Sequence, residues 1–100
     1  MEKLRFAIIG CGRISYKHVQ GIADNINQCE LVAVCDPVIE RAHSKKEEYI
    51  EKISASSEEV SVYKDYKEMI EKEEIDVVTI ATESGYHADI AIFAMNEGIH

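Results

Sequence analysis

Short apolar runs alternate along this chain with longer segments whose apolar residues recur at helical spacing. Leu4 to Ile9 is hydrophobic throughout apart from Arg5 and stops at Gly10, which predicts a strand buried on both faces. Ile14 to Ile26 follows, with Ile14, Val19, Ile22, Ala23 and Ile26 at the spacing of one helix face. Leu31 to Cys35 predicts a second buried strand, closed by Asp36-Pro37 because proline has no amide hydrogen to continue a ladder. Ile39 to Ile53 predicts a charged helix with Ala42, Tyr49, Ile50 and Ile53 on its apolar stripe. Ser54 to Ser57 predicts a loop, and Ser61 to Tyr63 a short third strand. Asp65 is placed to cap a helix running through Met69 and Ile70. Asp76 to Ala81, β-branched almost throughout, predicts a fourth strand, and Tyr86 to Asn96 a fourth helix closed by Gly98.

Four strand–helix pairs in succession require an α/β fold, a parallel sheet with helices on both faces joined by right-handed crossovers. The glycine-bearing turn straight after the first strand selects the Rossmann-type doubly wound sheet, with strand order 3-2-1-4. Ile99 and His100 read as the entry to a fifth strand, so residues 1–100 are expected to form one incomplete nucleotide-binding domain truncated after its fourth unit. In that order the fourth strand is an apolar edge, with Val77, Val78 and Ile80 expected to invite pairing with another chain.

Composition narrows the function classes. Nineteen acidic residues against 11 basic ones give a formal charge of −8, which argues against nucleic acid as a partner because phosphates would go unneutralised. The acidic helix surface, with Glu47, Glu48, Glu51, Glu71, Glu73 and Glu74 among interspersed lysines, reads as a solvated face. No apolar run approaches the roughly 18 residues of a membrane span, and Met1-Glu2-Lys3-Leu4 lacks the basic-then-apolar design of a signal peptide. A cytoplasmic location is expected. Cys11, Cys29 and Cys35 form no CxxC pair and no two histidines sit four apart, so neither a metal site nor a disulfide framework is expected.

The strongest local chemistry is Gly10-Cys11-Gly12-Arg13-Ile14-Ser15, after a strand and opening a helix. Gly10 permits the tight turn, Gly12 lets a pyrophosphate approach the backbone, and the helix start favours its negative charge. Ser15 stands where a third glycine or alanine is usual, and still allows close helix–strand packing. Asp36, 26 residues after Gly10, is placed to accept hydrogen bonds from both adenosine ribose hydroxyls and to repel a 2′-phosphate, favouring NAD over NADP. The competing reading makes Asp36 the opener of a turn before Pro37. Arg41 is either a softener of that NADP exclusion or a solvated helix residue. Thr82 and Ser84, after the fourth strand, are candidates for the ribose or nicotinamide side, as is His87 in the first turn of the next helix. The alternative there is N-capping by Ser84 beside a partly exposed histidine. His18, on the face of Ile14 and Ile22, reads as a core histidine. A methyltransferase would carry an acid two residues before its first glycine, where this chain has Ile8.

FAIIGCGRIS with His18, then VAVCDPVIERA, then DVVTIATESGYHADIAIFAMNEGIH, together resemble the amino-terminal half of the Gfo/Idh/MocA oxidoreductases across essentially the whole chain. The resemblance implies a Rossmann domain binding NAD(H) or NADP(H). It further implies a parent enzyme oxidising or reducing a hydroxyl of a sugar, cyclitol or nucleotide-sugar. It places Gly10, Gly12, Arg13, Ile14, Asp36, Thr82 and His87 on the cofactor side, and the ESGYH stretch is similar to members acting on UDP-linked N-acetylated sugars. Glu83 stands where the family usually has proline. The family's Glu-Lys-Pro motif, with the usual catalytic lysine, is expected past His100, together with the substrate domain through which members oligomerise. The chain alone is therefore expected to bind NAD(H) without turnover. The alternative is a non-catalytic NAD-sensing or assembly module.

Overall fold

The computed structural model describes residues 3–10, 15–25, 27–53, 60–81 and 84–99, with the backbone alone for residues 15 and 84–87. Strands β1 (Leu4–Ile9), β2 (Cys29–Cys35), β3 (Ser61–Tyr63) and β4 (Val77–Ile80) alternate with helices α1 (Ser15–Asp24), α2 (Ile39–Ile53), α3 (Tyr66–Lys72) and α4 (Ser84–Asn96). All three strand pairings are parallel, in the order β3-β2-β1-β4, as the alternation and the turn after the first strand predict.

Each face of the sheet carries its own core. Ile8, Leu31 and Val34 pack with Val19 and Ile22 of α1 and with Ala42 and Tyr49 of α2. Ala7, Ile9, Ala33 and Cys35 pack with Met69 and Ile70 of α3 and with Ile90 and Ala94 of α4. The split follows from strand alternation in β1, where Ile8 faces one way and Ala7 and Ile9 the other.

Strand β2 breaks that alternation. Phe6 pairs with Leu31 but Ala7 with Ala33, so Val32 is an extra residue in a bulge, and Val32 and Ala33 both enter the α3/α4 core. Beside this slip the Tyr49 hydroxyl, buried under α2, accepts the Leu31 N–H at 3.2 Å. Tyr49→Phe keeps the ring but withdraws the acceptor from a buried amide, and should lower stability by about 1–2 kcal/mol in urea unfolding.

Several boundaries differ from the expected ones, each for a local reason. Helix α1 stops at Asp24 rather than Ile26, because Asn25 turns back on it: its side-chain amide donates to the Gly21 carbonyl at 2.7 Å. Strand β2 begins two residues early, at Cys29, where pairing with Leu4 already holds it. Strand β4 is Val77–Ile80 rather than Asp76–Ala81. Asp76 instead exchanges bonds with Arg5, accepting the Arg5 N–H on Oδ2 and donating its own to the Arg5 carbonyl, both at 2.8 Å. The Arg5 side chain extends the clamp to the Glu74 carbonyl at 2.6 Å and to Glu30 at 3.4 Å, tying together the amino ends of β1, β2 and β4. Helix α4 begins at Ser84 instead of Tyr86, since its first turn carries no apolar periodicity to reveal it.

The two anticipated caps are present. Asp65 accepts the Lys67 N–H at 3.0 Å at the start of α3. Gly98 sits at φ +79° after α4, with bonds from Gly98 to Met95 and from Ile99 to Ala94 that close the helix.

At the outer strand, partial burial and the 2.5 Å hydrogen bond that Tyr63 donates to the Glu73 carboxylate push the Tyr63 hydroxyl up to about 12. The folded chain then holds this proton more tightly than the unfolded one, whose tyrosines titrate near 10. The resulting stabilisation is complete below about pH 10 and is lost as pH rises towards 12. Denaturant titrations should show Tyr63→Phe losing stability less steeply than wild type across that window; equal slopes would contradict it.

Candidate functional site

Strands β1, β2, β3 and β4 end together, and backbone bonds continue their ladders past the last strand residues. The Gly10 N–H donates to the Cys35 carbonyl and the Ala81 N–H to the Ile9 carbonyl, both at 2.8 Å. The Asp36 N–H donates to the Tyr63 carbonyl at 3.1 Å. Three residues of different strands are thereby fixed at one edge, the carboxyl end of a parallel sheet, where open α/β folds take their ligands.

Gly10 leaves β1 buried, at φ +91°, a conformation that any side chain would strain. A left-handed first glycine is what a tight turn after β1 calls for. Asp36 is only 5% exposed, and its Oδ1 accepts the Val38 N–H at 2.8 Å, closing a turn over Pro37. The turn-opening role weighed against the ribose role is thus present. Arg41 is exposed on the first turn of α2, its amide bonded to the Val38 carbonyl.

Gly12, Arg13, Ile14 and Thr82 lie outside the described residues, as do Cys11 and Glu83. Ser84 is the first residue of α4, one place inside where an N-cap stands, and His87 lies in the same first turn. His18 is half-buried on α1, next to the fully buried Val19. Cys35 is buried and Cys29 half-buried, and neither is in a disulfide. No group of three potential metal ligands occurs among the described residues. No helix among them is long and apolar enough to cross a membrane.

On the α3/α4 side of the edge lies a cavity of about 360 Å³. Ile9, Cys35, Pro37, Tyr66 and Ile90 make its apolar wall, and Lys64, Asp65 and Asp89 its charged one. Its size, at the small end of ligand pockets, suits a single ring system. The Tyr66 ring is held edge-on against Phe93, with centroids 5.6 Å apart, and Lys67 stands over the other aromatic of that pair. Sequence reading assigns no function to Lys64, Tyr66 or Asp89. Their wall is assembled from the start of α3 and the second turn of α4, and no local motif joins them.

Comparison with known proteins agrees with this geometry. Residues 4–100 match the GFO_IDH_MocA family model, described as an oxidoreductase family with an NAD-binding Rossmann fold. The chain is 33% identical over 93 residues to the inositol 2-dehydrogenase of Salmonella typhimurium, covering 93% of this chain and 26% of that protein. It is 31% identical over 105 residues to the alpha-N-acetylgalactosaminidase of Shewanella oneidensis, covering 100% of this chain and 22% of that protein. Among solved structures, the WlbA dehydrogenase of Bordetella pertussis, in complex with NADH and UDP-GlcNAcA, superposes with a TM-score of 0.85 at 29% identity, covering 99% of this chain and 28% of that one. The chain therefore spans about a quarter of the length of these relatives, whose names denote different reactions. From the matched residues, the left-handed Gly10 turn and the 3-2-1-4 sheet, the chain belongs to the Gfo/Idh/MocA oxidoreductase family, as its NAD-binding Rossmann domain.

Proposed function

We propose that this chain is the cofactor-holding domain of an NAD-dependent oxidoreductase acting on a sugar, cyclitol or nucleotide-sugar. The observation that carries the reading is the juxtaposition of a left-handed Gly10 and a buried Asp36 on neighbouring strand ends, joined through the Gly10–Cys35 backbone bond. Gly10 supplies the tight turn and Gly12 the close approach of the pyrophosphate, with Arg13 and Ile14 the further cofactor-side residues and the start of α1 favouring its charge. Asp36 accepts the adenosine ribose hydroxyls and repels a 2′-phosphate, which makes NAD the cofactor and NADP the poorer one. Arg41, exposed on the first turn of α2, is the basic residue that would soften that exclusion. The cavity beyond, between Pro37, Tyr66 and Ile90, receives the adenine. Thr82, Ser84 and His87, which follow β4 in the sequence, serve the ribose or nicotinamide side.

When bound, the nicotinamide supplies the hydride acceptor or donor for a carbinol of the substrate. The proton of that carbinol is assigned to no residue of this chain; the family resemblance puts the responsible lysine after His100. The domain thus holds and orients the cofactor, and binds NAD(H) without turnover. The sugar-like substrate class is supported by relatives named for inositol and by one solved with a UDP-linked sugar.

Calorimetric titration of the 100-residue chain with NADH and with NADPH tests the reading. Saturable NADH binding that exceeds NADPH binding supports it. A chain with a folded far-UV spectrum that binds neither would overturn it.

A further inference from the structure

An apolar slot explains why a flat base would enter the cavity, but does not choose among bases. The choice falls to the polar atoms on its wall. Asp65 is already engaged, since its Oδ1 caps α3 through the Lys67 N–H. Asp89 lines the same cavity from the second turn of α4 and has no hydrogen bond or ion pair with any described residue. Nor does it form an ion pair with Lys64, the described cationic residue on that wall.

We propose that Asp89 is a specificity-determining residue that selects a base carrying an exocyclic amino group. An ionised carboxylate only accepts hydrogen bonds. It therefore attracts the two donors of an adenine amino group and repels the lone pairs of a carbonyl oxygen at the same ring position, as in hypoxanthine. Asp89 is exposed, so solvent competes for it and the discrimination is moderate. The proposal rests on the reading of this cavity as the base pocket of the dinucleotide.

The probe is a pair of cofactors differing at one edge of the base, NADH and its deaminated analogue, in which hypoxanthine carries a 6-oxo group and an N1–H in place of adenine's 6-amino group and bare N1. Each is titrated calorimetrically into the wild-type chain, Asp89→Ala and Asp89→Asn, with far-UV spectra confirming that the variants fold. Wild type should bind the analogue about tenfold more weakly than NADH. Asp89→Ala should bring the two within about twofold, chiefly by losing affinity for NADH. Asp89→Asn, whose amide donates as well as accepts, should narrow the gap through better binding of the analogue. Equal binding of both cofactors by wild type, or an unchanged ratio in Asp89→Ala, overturns the assignment while leaving the cofactor site standing. Failure of wild type to bind NADH removes the cofactor reading and this proposal with it.

Discussion

Asp36→Ala should weaken NADH binding by about 100-fold. Two ribose hydroxyls donating to one carboxylate are two charge-assisted hydrogen bonds, and each contributes about 1.5–3 kcal/mol where solvent is excluded. Asp36 is buried, so the lower end of that range, doubled, already gives two decades. Alanine also removes the acceptor of the Val38 N–H and loosens the turn over Pro37. Asp36→Asn separates the two effects, because its amide oxygen can still accept that bond. The asparagine variant should lose the preference for NADH over NADPH by about tenfold, since the charge that repels a 2′-phosphate is gone. Calorimetric titration of both variants with both cofactors measures this. Unchanged NADH affinity in Asp36→Ala would mean that the carboxylate serves the turn alone.

The second large effect is expected at Gly10. At φ +91° a side chain strains the backbone, and a non-glycine residue held there costs about 1–3 kcal/mol. The position has no freedom to relax, because it is buried and its amide is bonded to the Cys35 carbonyl at 2.8 Å. Gly10→Ala should therefore lower the unfolding midpoint by roughly 5–15 °C for a domain of this size. In the proposed cofactor site, a disturbed Gly10 also displaces the turn that leads to the pyrophosphate. NADH affinity should consequently fall even at temperatures where the variant is fully folded. Thermal unfolding followed by circular dichroism, with titration well below the midpoint, reads the two consequences apart. A variant as stable as wild type would show that the turn tolerates a side chain.

Much of this architecture is written in local pattern. Leu4–Ile9 reads as a strand because nothing in it but Arg5 is polar, although only Ala7, Ile8 and Ile9 of it are buried, and Asp65 and Gly98 announce helix ends through chemistry that acts within a few residues. Gly10 and Asp36 are legible for the same reason, each being required by the turn or strand end where it stands. The cavity wall is not. Tyr66 and Asp89 are 23 positions apart and meet only because α3 and α4 cover the same face of the sheet. The limits of α1 and β4 are hidden for a related reason, being set by Asn25 reaching back to Gly21 and by Asp76 reaching across to Arg5. Nor does the run Leu31–Cys35 betray the bulge, because five apolar residues in a row give no indication of which face each one takes.

That bulge has a consequence for how β2 can vary in length. With Val32 unpaired, the half of the strand before it and the half after it keep independent phase. A residue gained or lost between Cys29 and Leu31 can be absorbed at the slip, leaving Cys35 against the cavity and Asp36 at the edge. The same change between Ala33 and Cys35 turns Cys35 towards α1 and α2 and carries Asp36 off its mark. The strand is therefore editable on its amino side and fixed in length on the side that ends at Asp36.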